Sequence, residues 1–172
     1  VIMLLAVSMF VNNKMNSTIE TSAEAISSHP IYKVETEIKK VAISINCSEN
    51  AENIESIIDS LSKMKAKATF YVTGEVVAKY PEKIKKIVNN GNEVGNLSYH
   101  YINLKNKKTD EVKEEIANCT AEIEKLTNVK PKTFRAPYGE CSNAIAEEAK
   151  KQNLYTVQWN LDSLDYNGLN SE

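Results

Sequence analysis

At 172 residues, 42% hydrophobic and 26% charged, the chain is sized for one globular domain with a buried core, which excludes disordered, fibrous and collagen-like classes. Its 21 basic and 23 acidic residues leave a formal net charge of -2, so the electrostatic footprint of a nucleic-acid binder is missing. Arg135 is the only arginine, and Cys47, Cys119 and Cys141 form no C-x-x-C pair, which points away from a disulfide framework or a zinc knuckle.

Residues 1–11 are largely apolar and are followed by Asn12, Asn13 and Lys14. A bilayer-spanning helix takes about 20 apolar residues, and a signal-peptide core about 7–15. The segment therefore reads as a membrane anchor or signal remnant, with a retained anchor and a cleaved signal both open; a buried strand or helix is the plainer alternative. Residues 12–30, rich in Asn, Ser, Thr and Glu, read as a linker, and the folded domain is expected over 31–172.

Short β-branched or aromatic runs then alternate with amphipathic stretches, the pattern of strand-helix units around a parallel sheet. The first strand is expected over 41–45 and a helix over 51–65, with Ile54, Ile57, Ile58, Leu61 and Met64 on one face. A second strand, 68–72, precedes a helix starting at Pro81 whose Ile84, Ile87 and Val88 turn inward and which Gly91 caps. A weaker third strand at 93–97 leads to a long helix over 109–126. There Val112, Ile116, Cys119, Ile123 and Leu126 form a stripe that places Cys119 in the core. A fourth strand at 132–135, a helix capped by Ser142 and a fifth strand at 154–159 complete the series.

In such architectures chemistry gathers on the loops that leave the C-terminal ends of the strands. Those loops, 46–48, 97–101, 135–139 and 160–165, all carry polar or unusual residues. Phe134-Arg135-Ala136-Pro137-Tyr138-Gly139 reads as R-x-P-Y-G and holds the lone arginine. Trp159-Asn160-Leu161-Asp162-Ser163-Leu164-Asp165-Tyr166 reads as W-x-x-D-x-x-D followed by Tyr, and Gly91-Asn92-Glu93-Val94-Gly95-Asn96 precedes the 97–101 loop.

In order and spacing, these motifs resemble the polysaccharide deacetylases of carbohydrate esterase family four, which share the NodB homology domain; the resemblance spans 31–166. The stretches 31–42 and 67–72 are most similar to sporulation-type, membrane-anchored members. The resemblance implies an α/β fold, a distorted (β/α) barrel that is incomplete at its C-terminal end because the family's Leu-x-His motif would fall past Glu172. It also implies hydrolysis of N-acetyl groups on N-acetylglucosamine or N-acetylmuramic acid polymers such as peptidoglycan. The family holds zinc or another divalent metal with an Asp and two His, uses a second Asp as base, and orients that base with the motif Arg. Such a metal polarises the acetamide and lowers the pKa of its water toward about 7.

This chain departs from that pattern where the chemistry is concentrated. Against the family's T-F-D-D-G it reads Ser44-Ile45-Asn46-Cys47-Ser48, so Asn46 takes the base position and Cys47 a metal position. Leu97 and Tyr101 fall on the two histidine positions. A primary amide accepts no proton at neutral pH, which forfeits a contribution usually worth about 10²–10⁴ in rate. Leu97 has no lone pair.

The reading is therefore a catalytically degenerate family member with no cofactor expected. Asn46, Arg135 and Asp162 are the remaining catalytic positions, and Pro137, Tyr138, Gly139 and Trp159 the expected substrate-binding ones. A plain structural role for Arg135, packing Tyr138 or pairing with Asp162 or Asp165, is the alternative to orienting the base position; His100 is expected to lie in solvent, and a metal site rebuilt from Cys47, His100 and Asp162 is a further alternative. Cell-wall glycan and, through residues 1–11, a membrane are the expected partners, in an extracytoplasmic setting. Two other functions stay open: an active deacetylase with Asp162 as base, and a non-catalytic glycan-binding module.

Overall fold

The computed structural model describes residues 26–167. Five strands, β1 (Ile43–Cys47), β2 (Ala68–Val72), β3 (Glu93–Asn96), β4 (Thr133–Phe134) and β5 (Tyr155–Thr156), form one parallel sheet in the order β1-β2-β3-β4-β5. Between them run α1 (Ile54–Lys63), α2 (Gly74–Lys79), α3 (Pro81–Asn89), α4 (Thr109–Thr127) and α5 (Asn143–Lys151). Because each strand lies beside its predecessor, successive crossovers share one hand and the sheet winds as a (β/α) barrel does, without the reversal of a doubly wound sheet. Ile31 joins the outer side of β5 by a parallel bridge to Val157. Its N–H donates to Thr156 O at 2.8 Å, and its carbonyl accepts from Gln158 N–H at 2.8 Å.

Alternation along the strands divides the sheet into two faces. Cys47, Phe70, Val72 and Phe134 turn toward the helices. There one apolar cluster gathers Ile54, Ile58, Leu61, Ile84, Ile87 and Cys119, and a second gathers Val112, Ile116, Ile145 and Leu154. Burial of each such large aliphatic chain stabilises by about 1.5–3 kcal/mol. The opposite face carries Ser44, Asn46, Tyr71 and Arg135, which meet one another.

The helical stripes read from spacing are the faces that pack, apart from Met64, which follows the last turn of α1 and is 66% exposed. Four differences have local causes. β1 lies at Ile43–Cys47, two residues later than expected, because it is held in register with Ala68–Val72; Val41 is exposed. α2 was not expected at all. Thr73 caps it, accepting from Val76 N–H at 3.3 Å, and Pro81 starts a separate helix. β4 and β5 are each two residues long, since the chain bends into a turn at Pro137 just after Arg135 N–H bonds Asn96 O at 2.8 Å. The apolar segment 1–11 and most of the linker lie outside the described residues, among which no helix is long and apolar enough to cross a membrane.

Candidate functional site

β4 delivers Arg135 to the polar face of the sheet, where the side chain is only 3% exposed. Its guanidinium is fully engaged on one side. Nη1 donates to Asn46 Oδ1 at 2.9 Å, Nη2 to Ser44 Oγ at 2.8 Å and Gln158 O at 3.3 Å, and Nε to Val157 O at 3.1 Å. Its central carbon sits 4.0 Å from the centre of the Tyr71 ring and 5.2 Å from that of Trp159, so two aromatic faces share the charge. Every acceptor is neutral. Burial accordingly pulls the guanidinium below its ordinary pKa, and no described carboxylate offsets this.

The next residues form a tight turn, Pro137–Gly139, that fixes the wall of this pocket. Tyr138 adopts φ 59, a left-handed conformation costly for a bulky residue, and its exposed ring lies 4.4 Å from that of Tyr101. Its hydroxyl donates to Tyr101 O at 3.1 Å. Gly139 has φ +72, and a Cβ there would stand 2.9 Å from the Trp159 indole. Pro137 is buried. The four positions read as substrate-binding thus form one aromatic ledge beside Arg135.

The 97–102 loop closes the site from the other side. Asn96, fully buried, donates through Nδ2 to Ile116 O at 2.8 Å and Thr120 Oγ1 at 2.9 Å, and accepts from Ser98 N–H at 2.7 Å, which ties β3 to α4. Glu115 on α4 accepts from Ser98 Oγ at 2.8 Å and His100 N–H at 2.9 Å, and meets His100 Nδ1 at 2.7 Å. Burial would raise the Glu115 carboxyl, but the bonds from the His100 backbone, the His100 ring and Ser98 outweigh it and hold the group below the ordinary range. Leu97 is fully buried, and burial pushes the half-buried Tyr101 phenol up.

Two of the alternatives are not realised, and His100 lies where it was expected. Arg135 does not pair with Asp162 or Asp165. Asp162 folds back on its own loop, accepting from Trp159 Nε1 at 3.2 Å and Leu164 N–H at 3.0 Å, while Asp165 accepts from Ser163 Oγ at 2.7 Å. His100 is exposed, as expected, and in addition carries a carboxylate partner on α4. Cys47, adjacent in the chain to Asn46, takes the opposite face, lies in the helix-side core, and has its thiol pushed up to about 12 by burial. A site rebuilt from Cys47, His100 and Asp162 therefore does not assemble: among the described residues no three His, Cys, Asp or Glu side chains converge as a metal requires.

The family's ligand positions fare no better as donors for a divalent ion. Leu97 has no donor atom, Cys47 faces away as a thiol, and the Tyr101 phenol stays protonated, so these residues do not fit the metal that the motifs imply. Spacing alone missed Ser44, Tyr71 and Glu115. The first two were within reach: Ser44 is two residues from Asn46 on one strand face, and Asn46 is in register with Tyr71.

A polysaccharide deacetylase family model matches residues 33–157, most of the chain. The chain belongs to the polysaccharide deacetylase family. Its relatives include a peptidoglycan-N-acetylglucosamine deacetylase of Bacillus cereus, 33% identical over 156 residues, which cover 91% of this chain and 54% of that protein. The protein YlxY of Bacillus subtilis is 32% identical over 143 residues, covering 83% of this chain and 45% of that one. The chain thus spans about half the length of these curated relatives. Among solved structures, a family-four pseudoenzyme from Bacillus anthracis superposes with a TM-score of 0.81 at 30% identity, covering 84% of this chain and 51% of that one. The sequential parallel sheet is thus the deacetylase fold, and the Arg135 pocket stands at the C-terminal strand ends where barrel enzymes place their chemistry.

Proposed function

We propose that this chain is a catalytically degenerate polysaccharide deacetylase domain that binds cell-wall glycan without removing its acetyl groups. The observation that carries this reading is the bond from Arg135 Nη1 to Asn46 Oδ1. The arginine that the motif would use to orient a carboxylate base is intact, buried and aimed, but its target is an amide that takes no proton. The misfit of Cys47, Leu97 and Tyr101 as ligands supports the same conclusion. So does the likeness to a structure described as a family-four pseudoenzyme, and to a mutant of that protein described as having restored enzymatic activity.

Relatives named as peptidoglycan deacetylases support a wall glycan as ligand and action outside the cytoplasm. The apolar residues 1–11 support a membrane anchor or signal. The alternative in which Asp162 serves as base is disfavoured, since both its oxygens are bonded within its own loop.

The test pairs two measurements on the full chain with zinc added: retention on insoluble peptidoglycan, and acetate released from it. Retention without acetate supports the proposal. Acetate release by the wild-type chain overturns the loss of catalysis, and a folded chain that stays in the supernatant overturns glycan binding.

A further inference from the structure

Next to the Arg135 pocket, and lined in part by the same Tyr101, a cavity of about 500 Å³ opens between the end of β1, the first turn of α2 and the 97–102 loop. Pockets that hold small ligands run to about 300–1,000 Å³. Its walls are fixed by bonds across elements. Gly74 N–H and Glu75 N–H donate to Ser98 O at 3.1 Å and Tyr99 O at 3.2 Å, and Thr73 Oγ1 donates to Ser48 O at 3.3 Å. Gly74 is required there, because a Cβ would fall 2.3 Å from the Tyr99 ring.

The lining mixes three kinds of group. His100 presents an imidazole whose Nδ1 is held by Glu115, which leaves Nε2 as its one uncommitted polar atom. Tyr101, Val76 and Ile102 supply an apolar wall. Glu49 and Glu75 supply two carboxylates, neither of which has a hydrogen-bond or salt-bridge partner among the described residues. The one lysine in the lining, Lys79, lies over the Tyr80 ring at 5.1 Å. Glu49 and Glu75 against the single Lys79 leave the lining with one more acidic than basic side chain.

A sugar ring offers hydroxyls to a fixed imidazole and C–H faces to an apolar wall. An N-acetylated sugar is neutral, whereas loss of the acetyl group leaves an ammonium that free carboxylates attract. We propose that this cavity binds an amino-sugar unit bearing a free ammonium group, the product of N-deacetylation instead of its substrate. This rests on the glycan-binding reading above and deepens it: the domain would recognise wall that an active deacetylase has already modified.

Calorimetric titration of the full chain with a glucosamine tetramer and with an N-acetylglucosamine tetramer, at a pH where the amine is protonated, tests it. The glucosamine tetramer is expected to bind about ten-fold tighter or better. Glu49→Gln together with Glu75→Gln is expected to abolish that preference at an unchanged Tm. Equal affinities, or a preference that survives the double substitution, overturn the cavity proposal while leaving glycan binding intact. Spermine binding as tightly as the amino sugar also overturns it, by showing a site for charge alone. If a folded chain binds neither sugar, both this proposal and the glycan-binding reading fall.

Discussion

Arg135 Nη1 donates to Asn46 Oδ1 at 2.9 Å, so a guanidinium that is 3% exposed closes on a neutral amide at the mouth of the site. The charge is held by four hydrogen bonds to uncharged acceptors and by the Tyr71 face. A buried charge without a counter-charge is an imbalance that a single oxygen can correct. Asn46→Asp places a carboxylate against Nη1 with little change of shape, and its folded pKa is expected below the unfolded value of about 3.9. The added stability is then present above that value and lost as pH falls through the folded pKa. Because Asn46 is itself exposed, solvent screening limits the gain to the order of 1 kcal/mol. Thermal melts should show the variant above wild type at pH 7 and level with it near pH 3; a variant that gains nothing at pH 7 contradicts the arrangement.

The same geometry makes Arg135 a structural tie between β1, β4 and β5. Arg135→Ala would strand two backbone carbonyls, Ser44 Oγ and Asn46 Oδ1, and leave a void between Tyr71 and Trp159, with an expected loss of about 3–5 kcal/mol. Arg135→Lys keeps the charge but cannot reach all four acceptors, so about 2 kcal/mol is expected. Chemical denaturation of both variants checks this; wild-type stability in Arg135→Lys would mean that the fork adds nothing beyond charge.

How much of this was readable before folding depended on which residues are neighbours along one element. α1, α3 and α4 were legible because Ile54, Ile58 and Leu61, Ile84 and Ile87, or Val112, Ile116 and Cys119 recur at helical spacing. α2 was not, since six residues between a strand and Pro81 are too few to show a period. The 135–139 and 159–165 motifs located the site, and the motif reading, in which the arginine orients the base position, already set Arg135 against residue 46. The alternative of an Asp162 or Asp165 partner fails because Asp162 bonds donors of its own loop and the guanidinium reaches back to β1. Glu115 was beyond reach, because it is one of several acids on the polar side of α4 and only folding sets it against His100.

Gly139 and Trp159 link the two motifs by close approach. Gly139→Ala forces an L side chain into φ +72 and brings a methyl 2.9 Å from the indole. The backbone cost alone is roughly 1–2 kcal/mol, with steric displacement of Trp159 added to it. A blue or red shift of the emission of Trp159, the only tryptophan, should accompany the loss of Tm. An unshifted spectrum would place the indole elsewhere.

Zinc is expected to leave the wild-type melt unchanged. A metal held only by the folded state would raise stability by about 2.7 kcal/mol at a hundredfold excess over Kd. Leu97 and the inward-facing Cys47 thiol offer no such site. Melts with excess zinc and with chelator decide it, and a zinc-dependent rise in Tm would show that donors converge in solution.

Glu115 gives the molecule a pH dependence of known sign. Three bonds from Ser98 and His100 hold its carboxyl below the ordinary value despite burial. Its contribution is thus fully present above the unfolded value of about 4.3 and is lost as pH falls through the lower folded pKa. Glu115→Gln keeps the shape, loses the charge, and must turn an amide N–H₂ toward one of the donors. About 1–2 kcal/mol is expected to be missing at pH 7, with the two melting curves converging as the carboxylate protonates below about pH 4. Since Glu115 also anchors the loop carrying Leu97 and Tyr101, amide exchange at 98–102 should quicken in the variant at neutral pH. Melting curves that stay parallel down to pH 3 would assign the loss to packing and leave the charge on Glu115 without a role.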